Sequence, residues 1–288
     1  MSDSFTKKKL DLTVTLGTGT FGAQVGSTVT LSDLRMFADI SAPCGESMGA
    51  LHLRVFGLTQ DMMNQLTVIG PINQLKLKNE VLLAAGDANG MSTAFKGTIY
   101  SAWADYSSAP EVPFNIIAYV GIGLLIKPVN ASSYPGAANV ADIMKKLADD
   151  AGLAFVNDGI SIQLSNPYFP GTALQQIRAC ARASQINHKI ENDTLTIWPK
   201  GRAISSADVP LIAPETGMIG YPALSSQGMT VRTEYTPNVV MGGAVQVKSS
   251  LQMASGKFNV FNYVHNLSSE APGGPWFTTI DCYPQNIS

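Results

Sequence analysis

Apolar residues recur along this chain in short runs that are rich in β-branched and aromatic side chains. Runs of that length and composition are typical of β-strands. Two such strands, Asp11–Leu16 and Ser27–Leu31, flank a Gly-rich turn. Four more lie between Leu51 and Gly121, separated by Gly, Asn and Pro: LHLRVF, EVLLAA, FKGTIYSAWADY and FNIIAYV. The pattern predicts a mostly antiparallel β unit over residues 11–126.

One helix interrupts these strands. Thr59 has the side chain of a helix N-cap, and the helix is predicted to end at Gly70-Pro71. Its apolar positions recur at helical spacing and are Met62, Met63, Leu66 and Ile69.

The run GDANGM, Gly86–Met91, predicts a tight hairpin. Asn89-Gly90 is a pair that readily adopts positive φ in a two-residue turn. The strands on either side are therefore expected to pair directly.

The composition changes at residues 127–138, KPVNASSYPGAA, which indicates a linker into a different module. Asn139 can cap a helix that Gly152 closes. Thr172 can cap a second helix, with Gln175 at the capping-box position. The inner faces of the two helices correspond at an offset of 34 residues.

Each of these helices is followed by two short strands around a turn. The first pair, LAFV and ISIQL, flanks Asn157–Gly159, and the second, HKIE and TLTIW, flanks Asn192-Asp193. The module is predicted to be a small α+β domain made of two helix-hairpin units.

Strands return after Gly201, spaced by Gly and Pro turns: MTVRTEY, NVVMG, AVQVKSS, KFNVFNYVHNL and PWFTTIDCYP. They predict a second antiparallel unit, so the fold class is α+β, mainly β, with two similar β-barrels around an inserted α+β domain. The predicted divisions are an N-terminal tail (1–10), a first barrel (11–126), a linker (127–138), the insertion (139–201) and a second barrel (202–288).

Composition adds one inference. Charged residues make up 14% of the chain, well below the roughly 25% usual for soluble domains. A charge-poor surface fits a subunit whose faces are covered by neighbours, although a monomeric Thr/Ser-rich β protein would have the same composition. The net charge of −2 provides no basic field for sequence-specific nucleic-acid binding.

Targeting segments are not expected either. The most apolar run, Phe114–Ile126, is too short to cross a bilayer, and the segment LDLTVTLG lacks the core of a signal peptide. We therefore expect no membrane insertion.

Gly17, Gly19 and Gly22 spell GxGxxG after a predicted strand. A dinucleotide site also needs a helix that opens at the third Gly, and the chain here continues as turn and strand. The pattern favours a Gly-rich hairpin, and no cofactor is expected.

Other candidate chemistry is sparse. The three cysteines are far apart, without CxxC spacing, which is typical of a reducing compartment and of neither a disulfide framework nor a zinc site. The three histidines fall in separate units, and His265 is expected to hydrogen-bond within a loop or an interface. No catalytic cluster is recognisable. These residues are Cys44, Cys180, Cys282, His52, His188 and His265.

Three long strings resemble the baseplate hub proteins of contractile-tailed bacteriophages and related tailocins. They are FGLTQDMMNQLT, AGDANGMSTAFKGTIYSAWADYSSAPEVPFNIIA and YVHNLSSEAPGGPWFTTI. The stretch from ADIMKKLADDAGL to LTIWP resembles the middle domain of those proteins, so the similarity spans nearly the whole chain.

The resemblance implies a structural virion protein rather than an enzyme. Such a hub is a homotrimer whose six β-barrels of the tail-tube type form a ring between the six-fold tail tube and the three-fold central spike. The implied partners are the subunit itself, the tube protein and the spike protein, with baseplate wedge and tape-measure proteins as further candidates. DNA would only pass through the central channel. The implied location is the tail baseplate of a virion assembled in the bacterial cytoplasm.

By analogy with tube-type domains, the helix Thr59–Val68 and the Asn89-Gly90 hairpin are candidate ring contacts. A charge at Met62 or Met63 is then expected to abolish the ring while the subunit stays folded. The alternatives are another tail component (tube, spike or distal tail protein) or a tail-associated cell-wall hydrolase. The candidate contact residues are Thr59, Met62, Met63, Leu66, Asn89 and Gly90.

Overall fold

The computed structural model describes residues 6–21, 26–43, 47–68, 78–126, 129–205 and 208–285. Strands are far more abundant than helices, in agreement with the mainly β prediction. The largest feature is one sheet of thirteen strands, drawn from both the N-terminal and the C-terminal part of the chain.

The apolar runs of the N-terminal part form strands and a helix as predicted, with a 3-10 turn at Tyr106–Ser108. The Thr59 hydroxyl accepts the Met62 N–H at 3.3 Å and so caps the helix. The predicted helix end at Gly70-Pro71 is wrong, because the helix ends at Leu66, Thr67 is its extended C-cap and Val68 forms a β-bridge with Ala102. Gly70 and Pro71 themselves lie outside the described residues. The elements are β1 (Lys9–Thr15), β2 (Thr28–Leu31), β3 (Met36–Pro43), β4 (Ala50–Phe56), α1 (Gln60–Leu66), β5 (Glu80–Asp87), β6 (Gly90–Ala104), β7 (Pro113–Tyr119) and α2 (Ile122–Ile126).

The hairpin between β5 and β6 is confirmed, but its predicted turn chemistry is wrong. Asp87 pairs with Gly90, so the turn residues are Ala88 and Asn89, and neither Asn89 nor Gly90 has a positive φ. The Asp87 carboxylate accepts the Asn89 N–H at 2.9 Å. This side-chain hydrogen bond closes the turn without left-handed backbone.

The middle of the chain contains both predicted helices with their predicted caps. Asn139 accepts the Ala141 N–H at 2.8 Å, Gly152 ends the first helix with φ +79°, and Thr172 and Gln175 form a capping box. The elements are β8 (Ser132–Ser133), β9 (Ala137–Asn139), α3 (Val140–Ala151), β10 (Ala154–Asn157), β11 (Gln163–Ser165), β12 (Tyr168–Phe169), α4 (Ala173–Ala183), β13 (Ile186–Glu191) and β14 (Thr194–Pro199).

Only the second of the two predicted helix-hairpin units exists. Strands β13 and β14 pair around Asn192 and Asp193, both with positive φ. The first hairpin prediction is wrong: β10 pairs in parallel with β14, and β11 pairs with β9. The Asn157 side chain bonds both the N–H and the carbonyl of Ile160, which forms a wider loop and turns Ile160 into the core. A tight turn between β10 and β11 is therefore replaced by that loop.

The C-terminal elements begin after Gly201. The predicted strand NVVMG is irregular, because Gly242 (φ +78°) turns the backbone while Val239 and Met241 stay buried. His265 lies within a strand and not in a loop. The elements are β15 (Leu211–Ile212), β16 (Ala223–Ser225), β17 (Gly228–Glu234), β18 (Ala244–Val247), β19 (Gly256–Ser269) and β20 (Trp276–Pro284), with 3-10 turns at Pro214–Thr216 and Gln252–Ala254.

Strand β19 joins the two β regions. On one side it pairs with β20; on the other, Ala244–Val247 of β18 pair with its first residues and Met36–Pro43 of β3 with its last eight. The main path of the sheet therefore runs β16-β17-β20-β19-β3-β4-β7-β6-β5-β1-β2, and the remaining two strands form a branch in which β18 pairs with β19 and, in parallel, with β15. Within the described residues, this path ends at β16 and β2 and does not close into the two barrels predicted from sequence.

Three apolar cores lie against these strands. We call them the first core (β1 to β7 and α1), the second core (β17 to β20) and the insertion core (α3, α4, β12, β13 and β14). Two buried residues cross these groupings: Leu267 of β19 packs in the first core and Trp198 of β14 packs in the second. The half-buried Trp276 of β20 and Ala42 of β3 also pack across, against the first and the second core. The cores are thus linked by shared side chains as well as by the sheet.

Candidate interaction surfaces and the junction cavity

Among the described residues, strand β2 pairs only with β1 and so forms one edge of the sheet. Leu16 donates to the Ser27 carbonyl at 2.8 Å, so by antiparallel alternation the backbone groups of Thr28 and Thr30 face away from β1. The hydroxyls of Thr13 and Thr30 lie 2.9 Å apart on the solvent face. Such an edge can accept a further strand.

The opposite edge is the short strand β16, whose three residues are all exposed. It is rich in apolar surface, because Tyr221 is 74% exposed and Leu224 is 59% exposed. Apolar surface gathered at an unpaired edge is typical of a protein contact.

The sequence-predicted contact residues lie in two different environments. Met63 and Leu66 are buried in the first core and Met62 is half-buried. Thr59, Asn89 and Gly90 are exposed, Thr59 at the start of α1 and the other two at the β5–β6 hairpin. Their role as ring contacts stays a prediction.

An aromatic cluster lies where the first and second cores meet. The ring of His265 packs against Tyr235 and Tyr263, at centroid distances of 5.0 and 4.7 Å, and Tyr235 packs on Trp276 at 5.4 Å. The Nδ1 atom of His265 lies 2.8 Å from the Thr278 hydroxyl on the neighbouring strand. Burial lowers the pKa of His265 to about 3, so the ring is neutral near pH 7.

Beside this cluster is a cavity of about 210 Å³, which we call the junction cavity. It is larger than the engineered cavity of about 150 Å³ that accommodates benzene. Its walls come from β3, β6, α4, β13, β19 and the segment 235–241, so all three cores border it. Leu174, Ile190 and Val239 provide apolar lining.

The charged groups of the junction cavity are unevenly paired. Lys189 contacts Glu191 at 2.7 Å, and Lys96 contacts Asp193 at 2.6 Å. Arg178 of α4 also lines the cavity, and its Nε atom is buried without a hydrogen-bond partner among the described residues. A buried donor of this kind is uncommon in folded proteins.

Metal-ligating side chains are not gathered together in the part of the chain that the structure describes. The described residues contain no group of three or more His, Cys, Asp or Glu that could hold a metal ion. Cys180 and Cys282 are buried thiols, and burial raises the pKa of each to about 12. Gly17 and Gly19 lie in the turn after β1, whereas Gly22 and Cys44 fall outside the described residues.

None of the helices in the described ranges has the length and apolar character that a bilayer crossing needs.

Sequence analysis did not identify the β2 edge or the junction cavity as candidate sites. Thr30 belongs to an ordinary alternating strand, and the local pattern does not say which strand is at an edge. Arg178 occupies a polar position of an amphipathic helix, and only the three-dimensional arrangement buries its Nε atom.

The sequence matches one protein-family model. The model is described as baseplate hub gp41, and the match covers residues 10–282. Among curated protein sequences, none is significantly similar to this chain.

The fold is similar to solved structures of tail proteins. A tail protein from Neisseria meningitidis MC58 has 13% identity and a TM-score of 0.64, with 96% of this chain and 97% of the other covered. The 43 kDa tail protein of prophage MuSo2 from Shewanella oneidensis has 10% identity and a TM-score of 0.60, with 96% and 99% covered.

A third similar structure is the E. coli c3393 protein. It has 11% identity and a TM-score of 0.62, with 88% of this chain and 74% of the other covered. It is described as a component of the type VI secretion system with structural similarity to the T4 tail proteins gp27 and gp5. At these identities, the likeness shows a shared fold.

Proposed function

This chain belongs to the baseplate hub gp41 family, structural proteins of the bacteriophage tail, and from that premise we propose that three copies form a ring of pseudo-six-fold symmetry between tail tube and central spike. In this proposal, residues 11–126 and 202–288 supply two tube-type β units and residues 139–201 form the insertion. The ring surrounds a channel for DNA or a tape-measure protein, in the baseplate of a virion assembled in the host cytoplasm.

The observation that carries this proposal is the open sheet shared by the two β regions. Strand β19 pairs with β3 over eight residues, so the main path of the sheet is one continuous arc that ends at β2 and β16 among the described residues, with a short branch formed by β18 and β15. Contacts between unlike edges of identical subunits close into a ring when their rotation is a fraction of a full turn. Three such arcs contain six β units, which would match a six-fold tube on one face.

The c3393 protein, which shares this fold, is itself described as similar to the T4 tail proteins gp27 and gp5, which agrees with a place in a tail. The low charged fraction, 14%, is consistent with faces that are covered by protein partners. The proposed partners are therefore further copies of this chain, a tube protein and a spike protein.

We expect Thr30→Pro to prevent ring formation while the subunit stays folded. Proline removes a backbone N–H that faces away from β1, so no bond of the β1–β2 ladder is lost, but strand addition at this edge is blocked. The measurement is the mass by multi-angle light scattering of the chain alone and co-expressed with the tube and spike proteins of the same phage.

Thr30→Val is the matched control. It also removes the hydroxyl that contacts Thr13, yet it keeps the backbone N–H and the branched side chain. The valine variant should assemble as wild type does. A Thr30→Pro protein that trimerises normally would contradict edge pairing, and a wild-type chain that stays monomeric with both partners would contradict the trimeric ring.

The predicted contact at α1 can now be tested with two adjacent residues. Met62→Asp should leave the subunit folded and weaken the ring, because Met62 is half-buried on the subunit surface. Met63→Asp should unfold the subunit, because an unpaired carboxylate would enter the first core. Circular dichroism and light scattering separate the two effects; normal assembly of Met62→Asp would remove α1 from the contact.

A further inference from the structure

The junction cavity has the features of a binding site rather than a packing defect. It is bordered by polar groups from three separate parts of the fold, among them Arg178, His188 and Tyr235. It also has an apolar wall, with Leu174 and Val239 among its members. Ligand sites commonly combine an apolar lining with a few convergent polar groups.

The charges of the cavity are not balanced. Its lining includes three cations, Lys96, Arg178 and Lys189, and one carboxylate, Glu191. Glu191 is paired with Lys189, and Asp193 is paired with Lys96. One cation, Arg178, is left without a carboxylate, and its Nε–H is buried with no acceptor among the described residues.

We propose that the junction cavity binds a carboxylate carried on a short apolar stem, with Arg178 as the group that receives the charge. A guanidinium is suited to this task because its N–H groups match the two oxygens of a carboxylate. The stem would lie against Leu174, Ile190 and Val239. The carboxylate comes either from a free organic acid or from an acidic residue of a partner protein, and both share this chemistry.

Arg178 would act in this site from a fixed position. It lies on α4, whose N-terminus is held by the capping box of Thr172 and Gln175 and whose apolar face packs in the insertion core. Strand β13 also lines the cavity and is held by its pairing with β14. Two packed elements therefore define the distance between the guanidinium and the apolar wall, which favours a ligand of limited length.

The experiment compares hexanoate with hexanol as probes of the full-length chain. Isothermal titration should show that hexanoate binds at least about tenfold more tightly than hexanol, since hydrogen bonds to a charged group have that effect or more. Hydrogen exchange should show added protection in β13 and around Arg178 when hexanoate is present. Equal affinity for the two probes, or protection elsewhere only, would overturn the proposal.

Two variants test whether Arg178 binds the carboxylate. Arg178→Met should weaken hexanoate binding at least about tenfold, whereas Arg182→Met, which removes a charge from an exposed position one turn further along α4, should not change it. An Arg178→Met chain that binds as wild type does would overturn the assignment. Should this variant fail to fold, the comparison of the two probes on the wild-type chain still decides the proposal.

Two capped peptides distinguish the sources of the carboxylate. They are acetyl-Leu-Leu-Glu-amide and its Gln counterpart, which differ only in the charged group. Preferential binding of the Glu peptide supports a partner segment as the occupant. Binding of hexanoate without either peptide supports a free organic acid and excludes the partner segment.

Discussion

Replacing Gly242 by alanine is expected to lower the free energy of unfolding by about 3 kcal/mol. Left-handed backbone costs a residue with a Cβ about 1–2 kcal/mol, and overpacking a filled core adds about 1–3 kcal/mol. Gly242 has φ +78°, and an added Cβ would lie well inside contact distance of the Trp198 ring, which is 1% exposed.

The backbone around Gly242 cannot move aside to relieve this clash. Its N–H donates to the Val260 carbonyl at 2.9 Å, and its carbonyl accepts the Ile204 N–H at 2.7 Å. The clash would also push Trp198, the side chain through which β14 reaches the second core. Denaturant unfolding followed by circular dichroism measures the loss.

Gly201→Ala is the control for this prediction. Gly201 has φ +79°, almost the same backbone, but a Cβ built there meets nothing within 4 Å. This variant should lose only the backbone contribution of about 1 kcal/mol. Equal losses for the two variants would show that the close approach of Gly242 to Trp198 is unimportant.

Acid is expected to destabilise the fold through His265. The pKa of the folded-state His265 is lowered to about 3 by burial, whereas an unfolded histidine has a pKa near 6.5. Below pH 6.5 the unfolded chain therefore binds a proton that the folded chain excludes. The stability that this group provides is complete above pH 6.5 and is lost by about 1.4 kcal/mol per pH unit as the pH falls toward 3.

The test compares urea unfolding of the wild-type chain and His265→Asn at pH 7, 6, 5 and 4. Asparagine keeps a polar group next to Thr278 and does not titrate, so the variant should lose less stability on acidification. Carboxylates such as Glu111 titrate in both proteins and cancel in the difference. A profile of His265→Asn that parallels the wild type would contradict the prediction.

Local sequence signals predicted the elements well and their long-range pairing poorly. Asn139, Gly152 and Thr172 marked helix ends correctly, because a cap depends on residues within one turn. The parallel pairing of β10 with β14 was missed because a nearby pair of strands around Asn157–Gly159 has the composition of a hairpin. The packing of the insertion core determines whether β10 pairs with β14 or with the strand that follows it.

The largest omission was the pairing of β19 with β3. The run KFNVFNYVHNL predicts a strand, but its alternation does not show that its second half packs Leu267 into the first core. The strand with which a given strand pairs depends on the whole sheet, so the sequence of one segment does not determine it. The same limit explains why the predicted contacts included Met63 and Leu66, whose helical spacing identifies a core face as readily as a contact face.

The pairing of β3 with β19 also determines the stage of translation at which the edge of β3 can be covered. Asp39 and Asn266 bond to each other across a sequence separation of 227 residues, so β3 leaves the ribosome long before its partner exists. Until then the nascent chain exposes the edge of β3, and contacts of such long range are slow to form. The pairing of β3 can therefore begin only after the residues from Asn262 onward have been translated, and until then the edge of β3 is exposed to aggregation.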